Sequence, residues 1–130
     1  MTRVIQWATG VTGMISLRHV IERADLELVG VRVYGPAKAG VDAGTLCGAG
    51  EVGLRTTADR DEIISTDADV VLYMGKVETD TPGCFADVCE LLASGKNVVA
   101  TGSRFIHPRS LHASSPHRAP FSGCPNSRWV

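Results

Sequence analysis

With 130 residues, 44% hydrophobic and 21% charged, the chain suffices for one globular domain with a modest core and is too apolar to be disordered. No apolar run nears the ~20 residues of a membrane span and no basic-then-apolar leader opens the sequence, so a cytoplasmic protein with no membrane role is expected. Residues 1–90 carry all 14 acids against 8 Lys/Arg, and residues 91–130 carry 5 scattered Lys/Arg with no acid; with two aromatics in the tail, Phe121 and Trp129, no nucleic-acid arm is expected.

Residues 3–8 predict a short apolar strand, and residues 9–13 a glycine-containing turn. Met14, Leu17, Ile21 and Ala24 recur at spacings of three and four, which predicts a helix ending at Asp25. Residues 26–34 are Val-rich and predict a second strand. This is strand, turn, helix and strand within 34 residues, the size of one βαβ unit. Residues 35–53 hold six glycines and predict a long loop, functional or mobile. Residues 54–57 could add a short strand. A short helix over 59–65 follows, with Asp59 as cap and Glu62 three later. Residues 69–74 predict a buried strand. Thr81 is the expected cap of the next helix, Pro82 its first residue, Phe85, Val88 and Leu92 its buried face and Gly95 its stop. Residues 97–100 predict a last strand, and Thr101-Gly102 a turn.

Alternating strands and helices imply an α/β fold, a doubly wound parallel sheet with helices on both faces. Ligands of such sheets bind at the carboxyl ends of the strands. Those ends are residues 9–13, 34–35, 75–76 and 101–103. Both hydrophobic periods stop near His107. Residues 108–130 hold four of the six prolines, five serines and no acid. The expected organisation is one domain over 1–110 and an irregular tail over 111–130.

The turn Gly10-Val11-Thr12-Gly13 leads from a strand into a helix. Two glycines let the backbone turn tightly and approach a ligand, while free N–H groups and the helix dipole face an anion. Val11 and Thr12 would supply N–H groups, and the Thr12 hydroxyl another bond. The pattern reads as G-x-x-G, with Ser16 as the third small residue. Its place in a βαβ unit points to a dinucleotide pyrophosphate rather than a purely structural turn. At the end of the second strand, Tyr34-Gly35-Pro36 offers no carboxylate for a ribose, and Lys38 lies four residues beyond Tyr34. This favours NADP over NAD, although Lys38 as a plain surface lysine fits nearly as well. Tyr34 either packs on adenine or closes the strand edge. Thr101 and Gly102 either meet the nicotinamide end or form a simple loop.

Other chemistry finds little support. Cys47, Cys84, Cys89 and Cys124 include no C-x-x-C pair, so reduced thiols are expected and no metal. His19, His107, His112 and His117 form no ligand pattern, with His19 expected to face solvent. No Ser or Cys sits in a nucleophile elbow, and no catalytic residue is assigned.

The residues that carry a resemblance are Val4-Ile5-Gln6-Trp7-Ala8-Thr9-Gly10 with Gly13, then Leu28-Val29-Gly30-Val31. They are similar to the N-terminal domain of dihydrodipicolinate reductase-like proteins. Lys38-Ala39-Gly40-Val41-Asp42-Ala43-Gly44 narrows this to NAD(P)H-dependent amine dehydrogenases of the 2,4-diaminopentanoate dehydrogenase kind. Residues 68–71 and 98–102 fit later strands of that domain, and the similarity covers about residues 2–110. The resemblance implies a Rossmann-like domain of an oxidoreductase acting on amines or imines. It implies contacts to NADP or NAD at Gly10, Val11, Thr12, Gly13, Tyr34, Lys38, Thr101 and Gly102. It also implies a second domain, from about residue 110, that brings the substrate pocket and most contacts of a homo-oligomer.

The tail departs from that pattern. Its Ser, Pro, His and Arg bias fits a GC-rich gene read out of frame, so a truncated enzyme, not competent alone, is expected. A naturally short protein with a disordered tail is the alternative. Besides an enzyme portion, a non-catalytic NAD(P)-binding module and a non-functional fragment remain open.

Overall fold

The computed structural model describes residues 1–76 and 79–102. The expectations for Ser103, His107, His112, His117, Cys124 and residues 111–130 lie outside them. Four strands form one sheet: β1 (Thr2–Trp7), β2 (Leu26–Arg32), β3 (Val70–Tyr73) and β4 (Asn97–Ala100). Every pairing is parallel and the order is β2-β1-β3-β4. The chain steps outward from β1 to β2, then returns past β1 to β3. The fold is therefore α/β, Rossmann-like, with its topological switch point between β1 and β3.

Helix α1 (Val11–Glu22) connects β1 to β2, and α2 (Ala43–Cys47) lies beside it. Leu17, Val31, Val33 and Ala43 form the core on this face. Helices α3 (Arg60–Ser65) and α4 (Thr81–Ala93) cover the other face. There Ile5, Trp7, Val71 and Tyr73 pack with Ile63, Phe85, Val88 and Leu91. Burying apolar area on both faces is the main stabilisation of such a layered domain.

Strand β2 carries an extra residue. Val4 pairs with Leu28 and Ile5 with Gly30, so Val29 is skipped. Leu28 packs on one core and Val29 on the other; the extra residue then leaves Gly30 on the same side as Val29, against Ile63 and Ile5. Gly30 follows because a Cβ there would stand 3.0 Å from Ile63.

The sequence expectations hold for most elements and fail at several edges. Helix α1 ends at Glu22, short of Asp25, and Ala24 is exposed beyond it. The segment 35–53 contains α2, capped by Asp42, whose carboxylate accepts from Gly44 and Thr45 N–H groups. Residues 54–57 build no strand; they make single bridges, Arg32 to Thr57 and Asp42 to Arg55. Asp59 caps α3 as expected. Glu62, however, takes the Thr57 hydroxyl at 3.0 Å, and that hydroxyl accepts from Asp59 N–H. Helix α4 is capped by Asp80, not Thr81, so Pro82 stands second. Asp80 lies one residue earlier and reaches Gly83 N–H at 3.2 Å. Phe85, Val88 and Leu92 are buried as expected, and Gly95 follows α4 at φ +93°.

Two polar groups tie the second face together. Arg60 on α3 bonds Asp87 on α4 at 2.5 Å, and Asp87 also accepts from the Tyr73 hydroxyl at 3.0 Å. Lys96 is buried and donates to the Ile64 carbonyl at 2.6 Å, closing the end of α3. Burial pushes its ammonium below the usual lysine range.

Candidate functional site

Strand β1 ends at Trp7, and the chain must enter α1 four residues later. Ala8 makes this turn in the left-handed region, at φ +74°. It is the one non-glycine residue with positive φ among those described. Its N–H bonds the Arg32 carbonyl at 3.0 Å, and its carbonyl accepts from Gln6 Nε2 at 3.0 Å. Gln6 is fully buried, so this bond holds the turn from below.

Gly13 lies against that turn. A Cβ there would meet the Ala8 carbonyl oxygen at 2.3 Å. Only glycine lets α1 approach β1 this closely. Gly10 is the opposite case: a Cβ on it would meet nothing within 4 Å. Its open side faces outward, where a ligand can come near the backbone.

The spacing is therefore Ala8-x-Gly10-x-x-Gly13. The three positions match the three glycine roles of a dinucleotide turn: a tight left-handed bend, close ligand approach, and helix-to-strand contact. This corrects the reading of Ser16 as the third small residue. Gly13 fills that role, and Ala8 stands where the first glycine would. Alanine gives no sequence signal for positive φ, so Ala8 was not legible beforehand.

The start of α1 is open. Helices α2, α3 and α4 are capped by Asp42, Asp59 and Asp80, whereas Gly10 leaves α1 with no side-chain cap. No acid occupies the first turn of α1. Val11 is 84% exposed and Thr12 is exposed. The first-turn N–H groups and the positive end of the helix dipole thus face outward, an arrangement suited to a phosphate.

The neighbouring strand ends surround this turn. Tyr34 follows β2 and is 54% exposed. Its hydroxyl accepts from Trp7 Nε1 at 2.8 Å, so the ring stands over the end of β1. Partial burial lifts the Tyr34 phenol above its usual range, against the bond from Trp7. Lys38 bends back and donates to the Thr9 carbonyl at 2.8 Å. Its ammonium therefore sits beside the glycine turn. Across the switch point, Met74 N–H bonds the Trp7 carbonyl at 3.0 Å, leading into Gly75 and Lys76. Thr101 N–H lies 3.4 Å from the Tyr73 carbonyl, which sets Thr101 and Gly102 beyond β3.

Gly10, Val11, Thr12, Gly13 and Lys38 thus gather around the end of β1. Tyr34 stands at the β2 side. Thr101 and Gly102 lie on the far side of β3. Sequence reasoning missed Arg32, whose guanidinium lies 4.6 Å from the centre of the Tyr34 ring. Its place inside a Val-rich strand hid it. His19 is exposed on α1. Among the described residues no three potential metal ligands cluster, and no helix is long and apolar enough to cross a membrane.

No protein-family model matches the chain. It is 29% identical over 120 residues to an amine dehydrogenase of Streptomyces virginiae, covering 89% of this chain and 32% of that protein. Among solved structures, an amine dehydrogenase from Mycobacterium smegmatis superposes with a TM-score of 0.69 at 23% identity, over 82% of this chain and 31% of that one. A homoserine dehydrogenase from S. aureus superposes with a TM-score of 0.56 at 14% identity, over 86% of this chain and 29% of that one. These superpositions show the shared fold. The chain spans about a third of the length of each of these proteins.

Proposed function

We propose that this chain binds a nicotinamide dinucleotide across the carboxyl ends of its strands, as the cofactor-binding portion of an oxidoreductase acting on amines or imines. The turn of Ala8, Gly10 and Gly13 carries this reading, because each position has the geometry of one glycine role. The pyrophosphate would lie on the N–H groups of Val11 and Thr12 at the uncapped start of α1. Tyr34 would meet the adenosine end, and Thr101 and Gly102 the nicotinamide end. The bound nicotinamide supplies the hydride chemistry; these residues bind and orient it. The absence of an acid after β2 and the ammonium of Lys38 beside Thr9 favour NADP over NAD. The amine or imine substrate class is supported by the likeness to the Streptomyces protein.

The test is thermal unfolding of the chain alone, with NADPH and with NADH. A ligand at 100 times its Kd adds about 2.7 kcal/mol to the folded state. Gly10→Asp is the decisive variant. A Cβ there meets no protein atom within 4 Å, and the carboxylate it carries would oppose the phosphate. A midpoint raised by cofactor in the wild type, and unmoved in a folded Gly10→Asp chain, is the expected result. A cooperative wild-type transition that neither nucleotide shifts would refute the cofactor site.

A further inference from the structure

Arg3, Arg18, Arg23 and Arg60 each pair with a carboxylate. Arg32, at the end of β2, has no carboxylate partner among the described residues. Its Nη1 donates to its neighbour's carbonyl, at Val33. Its Nε is buried and has no hydrogen-bond partner. Two rings hold the guanidinium in place, Tyr34 at 4.6 Å and Trp7 at 5.6 Å. Lys38, the next cation along the chain, is likewise bonded to a carbonyl and not to an acid. From residue 28 to residue 41 the sequence contains no Asp or Glu at all. The end of β2 is thus a positively charged corner whose anion no described residue supplies.

We propose that Arg32 binds the 2′-phosphate of NADP(H) and sets the preference for NADP over NAD. This rests on the dinucleotide reading above. In this fold the adenosine ribose lies at the end of the second strand, which is where Arg32 stands. A guanidinium offers a planar fork to a phosphate and forms charge-assisted bonds. Stacking on Tyr34 and Trp7 already restricts its rotamers, so little freedom is lost on binding. Lys38 adds a second positive charge on the side of the glycine turn.

Calorimetric titration of the chain with NADPH, NADH, 2′,5′-ADP and 5′-ADP tests this. The wild type should bind each 2′-phosphorylated compound at least roughly tenfold more tightly than its counterpart. Arg32→Gln should weaken NADPH by roughly 10- to 100-fold and shift NADH less than about threefold. Should Arg32→Gln fail to fold, Arg32→Lys reads the same quantity, because it keeps the charge and gives up the fork; a selective loss of NADPH affinity is again expected. Equal affinity of the wild type for both nucleotides, or a parallel loss of both in either variant, would overturn the role of Arg32 and leave the dinucleotide site standing. A folded wild type that binds none of the four compounds would overturn both.

Discussion

Gly13 and Ala8 stand so close that a Cβ on Gly13 would lie 2.3 Å from the Ala8 carbonyl oxygen. In an ordinary helix interior, Gly→Ala stabilises by about 1 kcal/mol. Here the added methyl meets backbone that cannot turn aside. Overpacking of this kind costs about 1–3 kcal/mol, which outweighs the propensity gain. Gly13→Ala is expected to lower stability, and urea unfolding checks the sign. A variant more stable than the wild type would mean that α1 can lift away from β1.

Ala8 carries the complementary prediction. An L-residue in the left-handed region costs about 1–2 kcal/mol, and Ala8 sits there at φ +74°. Glycine removes that strain and loses part of the gain to the greater freedom of the unfolded chain. Ala8→Gly should therefore be neutral or stabilise by up to about 1 kcal/mol. The midpoint of thermal unfolding should stay level or rise by a few degrees. A clear fall would show that Ala8 is not strained.

Asp42 governs the response to acid in the segment after β2. Its desolvation pushes the carboxyl up, but N–H groups of Thr45, Val52, Gly53 and Gly44 outweigh this and hold it below the usual aspartate range. The folded form thus binds its proton more weakly than the unfolded form. The stability it adds is complete above the unfolded value near 3.8 and is lost as pH falls through the lower folded value. Asp42→Asn should flatten the acid limb of a urea-midpoint profile. It should also expose amides of residues 43–53 to faster hydrogen exchange at neutral pH. An unchanged acid limb would count against Asp42 as the source.

Arg60 and Asp87 tie α3 to α4, and Asp87 is the more buried partner, 14% exposed against 30%. Removing Arg60 alone leaves a carboxylate held by the Tyr73 hydroxyl. Breaking a fully buried pair costs 3–5 kcal/mol; partial exposure reduces this to about 1–3 kcal/mol for Arg60→Leu. Adding Asp87→Asn should cost less than the sum of the two single changes. A double-mutant cycle measures that difference, and strict additivity would mean the pair is not coupled.

The legible parts of this fold are those where local chemistry and tertiary packing agree. Strand β4 matches its expected span, residues 97–100, because Val98 and Val99 sit between a glycine stop and a polar turn. The buried face of α4 follows from the spacing of Phe85, Val88 and Leu92. Helix α2 escaped notice because five residues, one of them glycine, show no period; its stability comes from the Asp42 carboxylate and the N–H groups of Val52 and Gly53, ten and eleven residues further on. Residues 54–57 have strand composition but find only single bridges. In the candidate site, Gly10 and Gly13 announce themselves, while Ala8 and Arg32 do not. The role of Ala8 lies in a dihedral angle, and that proposed for Arg32 in the rings it meets, Trp7 of β1 and Tyr34 just beyond β2.

The position of β1 bears on how the chain comes to be folded. Strand β1 is flanked on both sides, by β2 and by β3, and both follow it in the chain. Val4 pairs with Val70, 66 residues later. A ribosome must therefore add those 66 residues before the six-residue strand β1 gains its second neighbour. Until then the Ile5 and Trp7 side chains lack the β3 and α4 residues that bury them. Long-range parallel pairing of this kind slows folding. Until β3 arrives, β1 presents an unsealed strand edge, the kind of surface that chaperones shield.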